Sequence, residues 1–134
     1  MPISAPYTIG GTTVYALVHD EYQGNTHPGQ CPSGEYFKCW YNAVTLAVSR
    51  DGGKTYADPA PRLVASVPYR YGPDQGPIGI FTPSNIVRNE RDGYFYALVY
   101  VNVRNEYIGT ASSARRTSAI RARGGLGREE RTSR

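Results

Sequence analysis

The sequence predicts an all-β chain built from short antiparallel strands, and three observations point there. Among 134 residues there are twelve Tyr, fifteen Gly and ten Pro against a single Met, a balance that favours strands and tight turns over helices. The string Tyr15-Ala16-Leu17-Val18 recurs 81 residues later as Tyr96-Ala97-Leu98-Val99, and each copy follows a turn signal, as repeated supersecondary units would. Residues 43–49 alternate, placing Val44, Leu46 and Val48 on one face and smaller residues on the other.

In chain order, Tyr7–Ile9 and Tyr15–Val18 flank Gly10-Gly11 and read as a first hairpin. Residues 20–41 are rich in Gly, Pro, Asn and Ser and read as a long loop. The alternating run 43–49 is a third strand. Residues 62–67, between Pro61 and Pro68, are a fourth. A second Gly/Pro-rich loop is expected over 68–83. Asn85–Val87 and Tyr96–Val99 then flank Arg91-Asp92-Gly93 as a second hairpin. Four successive antiparallel strands followed by a new first and second strand follow the plan of propeller blades. Residues 1–103 are thus expected to hold about one and a half blades of an incomplete β-propeller. Such a piece needs further blades or a partner chain to cover its exposed flanks.

Charge divides the chain at the same place. Residues 1–103 carry seven Lys/Arg and eight Asp/Glu, whereas residues 104–134 carry eight Arg and three Glu. The body is close to neutral, so no nucleic-acid partner is expected from it. The tail has almost no apolar period and is expected to be a disordered or weakly helical basic segment. Its abrupt loss of pattern suits out-of-frame sequence best; a basic arm for nucleic acid and a solvated linker are the other readings. No window is long and apolar enough for a membrane span. Met1–Pro6 has neither the basic nor the apolar region of a secretory signal.

The turn between the third and fourth strands is Ser49-Arg50-Asp51-Gly52-Gly53-Lys54-Thr55-Tyr56. It resembles the Asp box, Ser-x-Asp-x-Gly-x-Thr-aromatic, of the BNR-repeat, sialidase-like and glycoside-hydrolase-like β-propellers. The stretch around His19-Asp20-Glu21-Tyr22 looks similar to glycoside-hydrolase-like propellers as well. The resemblance covers roughly residues 5–103. It implies a structural role for Ser49, Asp51, Gly53, Thr55 and Tyr56 at the blade periphery, away from catalysis. The chemistry agrees, since Asp51 can accept from turn amides and Gly53 can take positive φ. The family's arginine triad has no counterpart here: Arg50, Arg62, Arg70, Arg88 and Arg91 lack its surrounding motif. Members of the family are often exported.

Strand alternation puts the two long loops at the end opposite the short turns, and sites are commonly built where long loops gather on a rigid scaffold. Asp20, Glu21 and Glu35 are the candidate catalytic carboxylates, and His19, Trp40, Tyr69 and Tyr71 the candidate substrate-binding residues. Acids serve proton transfer, and ring faces stack on sugar C–H surfaces. Each has an ordinary reading beside this one: solvated loop carboxylates for the acids, a strand-end backbone bond for His19, blade packing for the rings. No cofactor is implied. No metal is either, because Cys31 and Cys39 with His19 and His27 match no common zinc spacing. A local disulfide and a reduced pair both fit the two cysteines. The expected function is that of a truncated glycosidase-like propeller fragment whose parent hydrolyses glycosides, without complete catalysis of its own. The alternative is a non-catalytic carbohydrate- or protein-binding β module.

Overall fold

The computed structural model describes residues 3–59 and 62–103 in full and the backbone of residues 107–116. They form eight strands: β1 (Ile3–Thr8), β2 (Val14–Gln23), β3 (Trp40–Ser49), β4 (Leu63–Ala65), β5 (Ile78–Phe81), β6 (Val87–Arg88), β7 (Tyr94–Val103) and β8 (Tyr107–Arg116). Two single turns of 3₁₀ helix, Gly24–Thr26 and Phe37–Cys39, interrupt the β2–β3 connection. The chain is all-β over the described residues, and its sheet curls into a half-barrel.

β1 to β4 pair antiparallel in succession, so the first four strands follow the expected meander. β2 and β3 are longer than their apolar cores. Their ladder runs unbroken from Val14 opposite Ser49 to Gln23 opposite Trp40, turning the polar segment His19–Gln23 into strand. β2 occupies one edge of β3 along its whole length, so β4 and β5 share the other. β4 pairs near Val44 and Thr45, and β5 lies parallel to Tyr41 and Asn42.

The segment 68–83, expected to be entirely loop, contains β5. Its four residues are all buried and join β3 to β7. Gly and Pro punctuation hides a strand whose stability comes from neighbours on both sides. Gly79 is required there. Its φ is +138°, and a Cβ would sit 2.0 Å from the Asn42 carbonyl oxygen.

The second hairpin repeats the first. Tyr15 pairs with Tyr7, and Tyr96 with Val87, so the two copies of the tetrapeptide occupy equivalent second strands. β5 and β6 lie along one edge of β7, linked by the Ser84 N–H donating to the Leu98 carbonyl at 2.8 Å. β8 takes the other edge from Val103 opposite Tyr107 to Tyr94 opposite Arg116. Residues 107–116 were expected to be disordered or weakly helical, yet their backbone completes a ladder, which needs no apolar period of its own. Residues 104–106 and 117–134, and with them the rest of the basic tail, lie outside the described residues.

The core gathers Ala5, Leu17, Val44, Val67, Ile78, Ile80, Ala97 and Val99, with Tyr41, Tyr69, Val101 and others packed against it. Tyr7 meets Phe95 edge-on with ring centroids 4.9 Å apart, which ties the first hairpin to the second. Burial of this apolar surface supplies the main drive for the sheet to curl rather than lie flat.

Candidate functional site

The site begins with alternation along β2. Successive side chains of a strand point to opposite faces, so His19, Glu21 and Gln23 share one face, and Asp20 and Tyr22 the other. Across the ladder Asn42 lies opposite Glu21 and Trp40 opposite Gln23, adding both to the first face. That face continues the row that starts with Leu17.

Glu21 is central. Its Oε1 lies 2.9 Å from His19 Nδ1, and its Oε2 accepts from Gln23 Nε2 at 2.8 Å. The same Gln23 amide also donates to the Tyr36 hydroxyl at 2.9 Å. The aromatic residues of this region form a connected series. Trp40 lies 5.7 Å from Tyr36, 6.1 Å from Phe37, 5.9 Å from His19 and 4.7 Å from Phe81 between ring centroids, and Phe81 is 6.2 Å from Tyr100. Tyr36, Phe37 and Tyr100 are exposed, Phe37 at 63%. A series of rings, exposed at Tyr36, Phe37 and Tyr100, beside a held carboxylate has the composition of a ligand site: aromatic lining with a few placed polar groups.

The other predicted site residues are distributed elsewhere. Asp20, on the far face of β2, pairs with Arg62 at 3.2 Å, and Arg62 also holds Asp58 at 3.3 Å. Glu35 pairs with Lys38 at 2.7 Å on the surface, and this bond raises the lysine's pKa. Tyr71 packs edge-on to Tyr22, which stacks on His27, on the Asp20 face. Tyr69 is half-buried against the core, and its carbonyl accepts from the Tyr41 hydroxyl at 2.8 Å. Burial raises the pKa of that Tyr41 hydroxyl. The structure therefore unites His19, Glu21 and Trp40; Asp20 and Tyr71 lie on the other face of β2, Glu35 is bound to Lys38, and Tyr69 packs against the core. Gln23, Phe37, Asn42, Phe81 and Tyr100 join the united group. Alternation along a longer β2 and β3 would have found Gln23 and Asn42; Phe81 and Tyr100 depend on the position of β5.

The two long loops dock on each other, as their placement at one end requires. The Tyr71 hydroxyl donates to the Gln30 carbonyl at 2.5 Å, the Gly76 N–H to the Lys38 carbonyl at 2.6 Å, and the Ser33 N–H to Asp74 Oδ2 at 3.2 Å. The Ser33 hydroxyl donates to Asp74 as well. Cys31 and Cys39 form a disulfide. Asp74 lies beside both sulfurs, but a disulfide sulfur has no thiolate to offer a metal ion.

The Ser49–Tyr56 turn is self-bonded. Asp51 Oδ1 accepts from the Ser49 hydroxyl at 2.7 Å and from the Thr55 and Lys54 amides at 2.9 and 3.0 Å. Its Oδ2 accepts from the Thr55 hydroxyl at 2.6 Å. Ser49 Oγ in turn accepts from the Gly53 amide at 2.8 Å, and Gly53 has φ +91°. Led by the Thr55 hydroxyl, these donors hold the Asp51 carboxyl far below the usual aspartate range. Every strong acceptor position of Asp51 faces the turn itself, which is a structural arrangement.

No family model, curated protein or solved structure matches the chain.

Proposed function

We propose that this chain is a non-catalytic carbohydrate-binding β module, with the glycan seated on the aromatic face around Glu21. The observation that carries the reading is the held Glu21 carboxylate bordered by Tyr36, Phe37 and Trp40. Rings offer apolar faces to sugar C–H groups, and the carboxylate and amides offer partners to hydroxyls. Binding is favoured over hydrolysis by the placement of the acids. Glycoside hydrolysis needs two carboxyl groups flanking one bond, about 5–10 Å apart. Here Asp20 and Glu21 are adjacent in a strand and project from opposite faces, and Glu35 is engaged by Lys38.

The proposed architecture remains that of a propeller-type repeat. Its support is the four-strand meander β1–β4, the equivalent second hairpin, and a self-bonded turn of Asp-box type between β3 and β4.

Glycan-array binding followed by calorimetry on the full chain tests the reading. Binding without release of reducing sugar is expected, and Trp40→Ala should weaken it tenfold or more while the fold is retained. Turnover abolished by Glu21→Gln would replace the binding module with an enzyme. A chain that binds no glycan would end the proposal.

A further inference from the structure

Buried polar atoms without a hydrogen-bond partner are rare in folded proteins and call for an explanation. Among the described residues, His19 Nε2, Gln23 Oε1, Trp40 Nε1 and Asn42 Oδ1 are four such atoms. All four belong to the β2–β3 patch that surrounds Glu21, in cross-strand register with it or two residues along. Such clustering in one patch is what a site for a polar ligand would leave.

The chemistry of each atom is fixed by what its neighbour does. His19 Nδ1 faces a carboxylate, which can only accept, so Nδ1 carries a proton; in the uncharged ring Nε2 is then an acceptor. Gln23 Nε2 donates to that carboxylate, which leaves Oε1 as an acceptor. Asn42 Nδ2 donates to the Ile80 and Ala43 carbonyls at 2.6 and 3.1 Å, so Oδ1 is an acceptor too. Trp40 Nε1 is a donor only. The patch thus offers three acceptors and one donor beside a carboxylate. The nearby cations are engaged elsewhere, Lys38 by Glu35 and Arg62 by Asp20 and Asp58.

Resting on the glycan-binding reading above, we infer that the site selects neutral, hydroxyl-rich sugars and rejects acidic ones. Sugar hydroxyls donate to the three acceptors and accept from the indole N–H. A sugar carboxylate would meet Glu21 with Lys38 and Arg62 both engaged by other carboxylates, and a like charge in a partly desolvated site is strongly disfavoured. Tyr36 and Phe37, exposed and packed against Trp40, are the side chains that turn aside to admit the ligand. Exposed rings of this kind reorient readily.

Calorimetric titration of the full chain with neutral cello-, xylo-, manno- and chito-oligosaccharides, set against oligogalacturonate and sialyllactose, provides the test. A neutral oligosaccharide should bind at least tenfold more tightly than either acidic probe. Glu21→Gln keeps the shape and removes the charge, and should narrow that ratio about tenfold by admitting the acidic probes. Trp40→Phe keeps a ring and removes the donor, and should weaken the neutral ligand severalfold without changing the thermal melt. Acidic probes that bind as well as neutral ones, or a ratio indifferent to Glu21→Gln, would overturn the selectivity while leaving glycan binding in place. Absence of binding by every probe would instead remove the function reading, and the selectivity with it.

Discussion

Asp51 and Gly79 illustrate how much one residue can decide in this fold. Asp51 accepts four hydrogen bonds in its own turn, and its carboxyl is held far below the ordinary range. A depressed folded-state pKa contributes stability above the unfolded value, about 3.9 for aspartate, and loses it as pH falls below that value toward the folded one. Thermal melts between pH 2 and 6 should therefore show an acid-sensitive limb that Asp51→Asn flattens. A variant with the same acid limb as the parent would mean that the turn's bonds do not depend on the charge. Gly79 is decisive for steric reasons. Gly79→Ala places a methyl against the Asn42 backbone at a φ that L-residues rarely adopt, and should cost at least about 2 kcal/mol, measured by urea unfolding. The Asp51 chemistry was legible in the turn's residue types. The need for Gly79 was not, because the strand it approaches lies 37 residues away in sequence.

Elements show the same division. The two hairpins and the β3 alternation were legible because turn residues and period-two patterns are local. The polar run Asp20–Gln23 read as loop, yet it is strand, because pairing with Trp40–Ala43 outweighs its composition. That extension determines the site: in a loop Asp20 and Glu21 could converge, and in a strand they cannot. The long β2–β3 connection is fixed by its disulfide and by its contacts with residues 71–76. Closing a loop of eight-residue separation should contribute about 2–3 kcal/mol through the unfolded chain. Replacing both cysteines with serine should lower the melting temperature and weaken glycan binding, because Tyr36 and Phe37 lie within the closed loop. Unchanged binding in that variant would show that the loop is positioned by its hydrogen bonds alone.

At the scale of the molecule, a single curled sheet connects what the sequence presents as two separate repeats. β5 makes the connection, parallel to β3 and antiparallel to β7. Val44, with no exposed surface, lies in the cluster shared by both repeats. Val44→Ala should cost roughly 1.5–3 kcal/mol and lower one cooperative transition. Two separated transitions, only one of them shifted, would mean that the repeats unfold independently. The sequence by itself determined the all-β class, the meander of the first four strands, the equivalence of the hairpins and the self-bonded turn at Asp51. These rest on turn chemistry and period-two patterns that act over a few residues. Only the tertiary structure decided that β5 is a strand, that β8 completes a ladder, and that Glu21 faces Trp40 while Asp20 faces Arg62. Those outcomes depend on pairing and burial between distant segments, which local composition does not encode.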